Sequence, residues 1–287
     1  MARAATNVGA SVRARLLTVA KTSNQTFDLV LTRYVLERVL YRLTQTPHRD
    51  RFALKGALLV TTWFADPHRP TRDADLLGFG DSGPEAMLAV FREVCAVPMD
   101  DGVTIDPRTL RIDRIRDELE YGGLRLRAVA RVGGAQVAVT IDIGFGDSVA
   151  PGLEEIDLPV FLDFPAPRLR AYARETVIAE KFQAMVMLGR ANSRMKDFYD
   201  VWVLSRTYKF DGPRLSAAIA ATFERRKTAV PFDVPDALTS EFARDSAKQA
   251  QWRAFVADLA TQAVDLPTVI QDLETFLMFH ARLARAR

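Results

Sequence analysis

Residues 124–143 alternate about a pair of glycines, and this pattern restricts the fold more than any other stretch of the chain. Leu124, Leu126, Ala128 and Ala130 interleave with Arg125, Arg127, Val129 and Arg131. A period of two is the mark of a half-buried strand, apolar on one face and polar on the other. Gly133-Gly134 is a two-residue hairpin signal, and residues 136–143 supply the returning strand. The first half of the chain must therefore contain a sheet.

Helices and further strands surround that hairpin. Phe27, Val30, Leu31, Tyr34, Val35 and Val39 recur at intervals of three and four, which predicts a helix over 27–43. Residues 51–54 read as a short strand and 56–64 as a buried helix. A proline-bearing loop at 67–70 leads to 73–77, which alternates like a strand. A helix over 84–97 follows, with Pro84 near its first turn. A proline-rich connection spans 151–167, and everything after Glu175 reads as helices, interrupted near Gly212-Pro213, 231–235 and Pro267. The expectation is an α/β (α+β) chain. Residues 1–165 would hold N-terminal helices and an α/β core, and 166–287 a helical C-terminal domain.

Composition narrows the chemistry. With 39 basic and 36 acidic residues the formal charge is only +3, so no nucleic-acid partner follows from charge alone. No apolar run is long enough to cross a bilayer, and the first residues lack the apolar stretch of a signal peptide. The single cysteine, Cys95, excludes an internal disulfide framework and suits a reducing cytoplasm, which is the expected location. His48, His68 and His280 have no zinc spacing. A metal site here must be built from carboxylates.

Asp73 and Asp75 lie two apart, so on a strand both leave the same face. Mg²⁺ favours one or two carboxylates together with substrate phosphates. Asp142 interrupts the apolar run Val137-Ala138-Val139-Thr140-Ile141-Asp142-Ile143, where a lone charge is costly unless something pairs with it. Asp73, Asp75 and Asp142 are the expected metal ligands. Upstream, Lys55-Gly56-Ala57 joins a strand to a helix, an opening that offers backbone N–H groups to phosphate. Lys55, Gly56, Ala57 and Arg72 are the expected nucleotide-binding residues. A basic group (Arg111, Arg114, Arg116, then Arg125, Arg127, Arg131) suits a phosphate backbone or simply a solvated sheet face.

Helical phase adds two more candidates. Lys181 falls within the stripe of Val177, Ile178, Phe182, Met185 and Val186, and Asp197 within that of Phe198, Val201, Trp202 and Leu204. Two opposite charges on apolar faces form either a buried ion pair or catalytic machinery that also binds the nucleotide through Lys181. Asp200, a turn after Asp197, reads as a solvated flank. Arg190 and Arg194 stand where an acceptor would approach.

The ordered series Leu54-Lys55-Gly56-Ala57, Thr71-Arg72-Asp73-Ala74-Asp75-Leu76, Ile141-Asp142-Ile143-Gly144-Phe145-Gly146-Asp147, Ala179-Glu180-Lys181 and Lys196-Asp197-Phe198-Tyr199-Asp200 resembles the AbiEii-type nucleotidyltransferase toxins, the MenT-like toxins among them. The resemblance implies a polymerase β-like nucleotidyltransferase core with a helical C-terminal region. It also implies the toxin of a toxin–antitoxin pair, with a cognate antitoxin protein as partner. The implied reaction is Mg²⁺-dependent transfer of a nucleotide from NTP, a pyrimidine by preference, to the 3′ end of tRNA or another RNA, blocking translation. Asp73, Asp75, Lys181 and Asp197 match the catalytic positions. Where the fold commonly has Gly-Ser or Gly-Gly, this chain has Gly56-Ala57. Two alternatives stand beside this reading: transfer to a small molecule or protein hydroxyl, and a non-catalytic partner-binding module.

Overall fold

The computed structural model describes residues 7–64, 69–115, 122–257, 259 and 264–286. Two helices, α1 (Val8–Thr22) and α2 (Phe27–Thr44), precede β1 (Phe52–Lys55), the short α3 (Gly56–Thr61), β2 (Ala74–Gly78) and α4 (Pro84–Ala96). Strands β3 (Val103–Ile105), β4 (Arg111–Ile115), β5 (Gly123–Val132), β6 (Ala135–Phe145), β7 (Leu153–Asp157) and β8 (Arg168–Tyr172) follow. Then come α5 (Arg174–Leu188), α6 (Met195–Thr207), α7 (Gly212–Arg225), α8 (Ser240–Arg244), α9 (Ser246–Val256) and α10 (Leu266–Arg285). The fold is mixed α/β, as the sequence predicts. His68 and Arg116, and part of the expected loop at 67–70, lie outside the described residues.

All eight strands join one sheet in the order β3-β5-β6-β2-β1-β8-β7, with β4 also paired to β5. The pairs β2–β6 and β1–β8 are parallel. The β5–β6 hairpin closes with Val132 opposite Ala135, so its loop is Gly133-Gly134 alone. Both glycines have positive φ, +52° and +85°, which a two-residue turn of the twist-matching kind requires. The proline-rich connection is not irregular throughout, because it contains β7, and β8 begins just after it.

The chain divides into two compact units, Met1–Gly146 with Glu155–Ala171, and Asp147–Glu154 with Tyr172–Arg287. In the first, one sheet face is apolar. Leu124, Leu126, Ala130, Val137, Val139, Ile141, Ile143, Ala74 and Leu76 are buried there, and α2 and α4 supply Val35, Leu36, Val39, Phe91 and Val94 to the same core. The buried pair Arg42–Asp101 ties α2 to the turn before β3, with N–O distances of 2.7 and 3.0 Å. In the second unit, Phe182 packs on Phe223 and Phe198 on Phe242, which knits α5, α6, α7 and α8 together. No helix among the described residues is long and apolar enough to cross a membrane.

One buried acid of the first unit makes stability pH-dependent. Burial pushes the Glu37 carboxyl on α2 up to about 7, against the opposing pull of Arg33. The folded chain therefore holds a proton that the unfolded chain releases above about pH 4.5. The stability linked to that proton is complete below the unfolded value and is lost as pH rises toward 7. Between pH 5 and 7.5 the wild type should lose about 2 kcal/mol relative to Glu37→Gln. Denaturant midpoints of both proteins at the two pH values measure this; parallel changes would remove Glu37 as the source.

Candidate active site

The polar face of the sheet carries a row of four charges, one from each of four neighbouring strands. Lys55 on β1 is opposite Asp75 on β2, Asp75 is opposite Asp142 on β6, and Asp142 is opposite Arg125 on β5. Directly paired residues share a face, so the row reads plus, minus, minus, plus along one surface. The alternate residues of β5 and β6 face the core, and that alternation fixes which side the row occupies.

Asp75 is seated against the start of α3. A Cβ built on Gly56 would lie 1.9 Å from Asp75 Oδ2, and Gly56 has φ +69°. Both facts require glycine at this position: no other residue leaves room for the carboxylate or adopts that backbone without strain. Asp73 stands immediately before β2, its Oδ1 accepting a 2.8 Å hydrogen bond from Thr71 Oγ1. Both oxygens of Asp142 are taken by Arg125, with Nε to Oδ1 at 2.7 Å and Nη2 to Oδ2 at 2.6 Å. This fork holds the Arg125 guanidinium firmly protonated, with smaller contributions from Asp73 and Asp75. The three aspartates therefore act on one arginine, which the sequence reading assigned only to a basic stripe.

Other expected residues are placed differently. Arg72 is not brought to the row, because its guanidinium pairs with Asp28 in the first turn of α2. Ala57, the second residue of α3, is buried and offers no hydroxyl. The helix expected over 56–64 ends at Thr61, so α3 is too short to lend much dipole to an anion. Of the basic stripe, Arg127 pairs with Asp113 on β4 and Arg125 with Asp142.

In the second unit, Lys181 on α5 lies 2.5 Å from Asp197 and 2.9 Å from Asp200, both on α6. Asp197 and Asp200 are fully buried and Lys181 nearly so, its side chain 11% exposed. Asp200 is thus a member of the cluster and not a solvated flank: one helical turn after Asp197, it lies on the same inward face. Asp197 sits in the first turn of α6, where the helix dipole favours a carboxylate. Arg194 Nε makes a 2.6 Å ion-pair contact with Asp197 Oδ2, and Arg190 is held by Asp236. The neighbouring Glu180 enters a separate buried group with Asp147, Arg226 and Tyr172, in which burial first, then the two carboxylates, push the tyrosine hydroxyl far above its ordinary value.

Among the described residues no three His, Cys, Asp or Glu side chains are gathered into a metal-holding group. The model of the family "Nucleotidyl transferase AbiEii toxin, Type IV TA system" matches residues 38–278 of this chain. The chain belongs to the AbiEii family. It is accordingly a nucleotidyltransferase of a type IV toxin–antitoxin system, for which a nucleotide substrate and an antitoxin partner follow. Two solved Helicobacter pylori structures share its fold: a candidate nucleotidyltransferase and the protein JHP933. Each aligns with TM-score 0.53 and 14% identity over 91% of this chain, covering 98% and 95% of their own chains. No curated protein sequence matches it. The family match spans both the sheet row and the Lys181 cluster.

Proposed function

We propose that this AbiEii-family protein transfers a nucleotide, preferentially a pyrimidine, from NTP to the 3′ end of tRNA in the cytoplasm, and so blocks translation. The observation that carries the reading is the placement of Asp75, packed on a left-handed Gly56 within a row of two carboxylates flanked by cations. A carboxylate fixed that tightly is suited to one geometry of substrate.

Mg²⁺ fits the donor set. Asp73 and Asp75 supply two carboxylates on one face, and the remaining octahedral positions suit phosphate oxygens and water. When bound, the ion neutralises triphosphate charge and favours deprotonation of an attacking hydroxyl. The chain's own residues do the rest. Asp73 is kept in place by Thr71 and Asp75 by Gly56, so neither carboxylate has to be ordered when substrate arrives. Lys55 and Arg125, at the two ends of the row, set a positive potential on either side of the carboxylates. Lys181, oriented by Asp197 and Asp200 within the second unit, is assigned a catalytic role from its match to the family's lysine, and a fixed ammonium of that kind suits stabilisation of phosphate charge. Phosphoryl-type transfer depends mainly on such positioning and electrostatics.

The test is incubation of the protein with total RNA, Mg²⁺ and each of four labelled nucleoside triphosphates separately. Label should enter tRNA-sized RNA most strongly from one pyrimidine triphosphate, and Asp75→Asn should abolish it. Label on protein alone, with none on RNA, would replace the tRNA reading with transfer to a protein hydroxyl.

A further inference from the structure

We propose that Arg125 is a phosphate-binding residue of the site, and that Asp142 is the positioning residue that aims it. The inference deepens the nucleotidyltransferase reading and rests on it. Arg125 is brought to the row by register: with Gly133-Gly134 as the whole loop, the β5 residue facing Asp142 can only be Arg125. The contact is a side-on fork that uses Nε and one edge of Nη2. Both hydrogens of Nη1 and the second hydrogen of Nη2 then leave the guanidinium on its other edges. The Asp142 side chain is 20% exposed and that of Arg125 is 37% exposed, so the arginine is the more solvent-accessible partner of the pair. That order suits a carboxylate holding an arginine for an incoming anion.

Charge balance points the same way. Asp73 and Asp75 both act on Arg125 through space, so the guanidinium lies within their field. A triphosphate entering beside two carboxylates needs a cation there, and a planar fork with its inner edge already fixed loses little freedom on binding phosphate. Arg127, one step further along β5, pairs with Asp113, and both side chains of that pair are more than half exposed. An exposed pair of that kind contributes little and aims nothing. With both oxygens committed to Arg125, Asp142 is not counted as a ligand of the cation, and Asp73 and Asp75 remain the pair that meets it.

The phosphate comes from one of two sources, the triphosphate of NTP or a phosphodiester of the RNA acceptor. Wild type, Arg125→Gln, Arg125→Lys, Asp142→Asn and the Arg125→Gln/Asp142→Asn double variant are compared by Mn²⁺ binding in paramagnetic resonance, by binding of a non-hydrolysable NTP analogue, and by KM for NTP and for RNA. Asp142→Asn should bind Mn²⁺ as the wild type does. Arg125→Gln and Asp142→Asn should each raise the same KM by about 10-fold or more, the double variant no further, and Arg125→Lys should recover little. A raised KM for NTP with weakened analogue binding assigns the triphosphate, and a raised KM for RNA alone assigns the phosphodiester. Loss of Mn²⁺ binding in Asp142→Asn overturns the proposal, because Asp142 is then a metal ligand. Additive effects, or a lower melting temperature with both KM values unchanged, also overturn it by leaving a structural ion pair. If the wild type itself binds neither the analogue nor RNA, the nucleotidyltransferase reading falls, and this inference with it.

Discussion

Lys181→Ala should lower the stability of the protein by about 3–5 kcal/mol and abolish nucleotide transfer. Removing the ammonium takes away the cation that the buried Asp197 and Asp200 share. An uncompensated buried carboxylate is among the most destabilising single changes a fold can suffer. The melting temperature should therefore fall by roughly 5–10 °C. Stability alone does not separate a structural lysine from a catalytic one, so a second variant is needed. Lys181→Met combined with Asp200→Asn leaves Asp197 facing Arg194 with no net charge, and most of the lost stability should return. If Lys181 serves the reacting phosphate, transfer stays absent in this restored protein. Recovery of transfer along with the melting temperature would reduce Lys181 to an ion-pair partner.

Gly56→Ala is expected to reduce transfer by about 100-fold or more, since displacing a catalytic group by an ångström has effects of that size. The new methyl would occupy the place of the Asp75 carboxylate, whose Oδ2 lies 1.9 Å from it. Because the carboxylate must move or the strand must shift, the damage falls on the row itself. Left-handed backbone at a residue with a Cβ adds about 1–2 kcal/mol of destabilisation. Gly134→Ala is the control. It has φ +85° and open space around the missing Cβ, so it carries the backbone strain without the collision. Transfer should survive there with a similar loss of stability. If the two variants transfer equally, the close seating of Asp75 has no part in the reaction.

Much of this arrangement is legible in the residues. Alternation in 124–130 gives the face of β5, and Gly133-Gly134 gives the hairpin. Those two facts together also fix Arg125 opposite Asp142, since Val132 must meet Ala135 and each step back along β5 is a step forward along β6. The partner that a lone aspartate in an apolar strand demands was therefore within reach of the sequence. The parallel pairing of β2 with β6 was not, because no local signal sets the register between strands separated by a long crossover. Strand β8 follows two prolines and has five residues, yet the buried Leu169 and Ala171 alternate with the less buried Arg168 and Arg170. Its alternation is present but too short to stand out from a loop. Asp200 does not read as buried, because the enclosed face of α6 is wider than the stripe that Phe198, Val201, Trp202 and Leu204 mark. Phe198, Tyr199, Asp200 and Val201 are all buried, so that part of α6 is enclosed nearly all round.

The most direct measurement follows the label from nucleoside triphosphate carrying ³²P at either the α or the γ position, with RNA and Mg²⁺ present. Nucleotidyl transfer at Asp73 and Asp75 predicts that α-label becomes bound to RNA while γ-label leaves as pyrophosphate, and that Asp75→Asn stops both. Label from the γ position on RNA or protein, or α-label that never leaves the free nucleotide, would contradict the account.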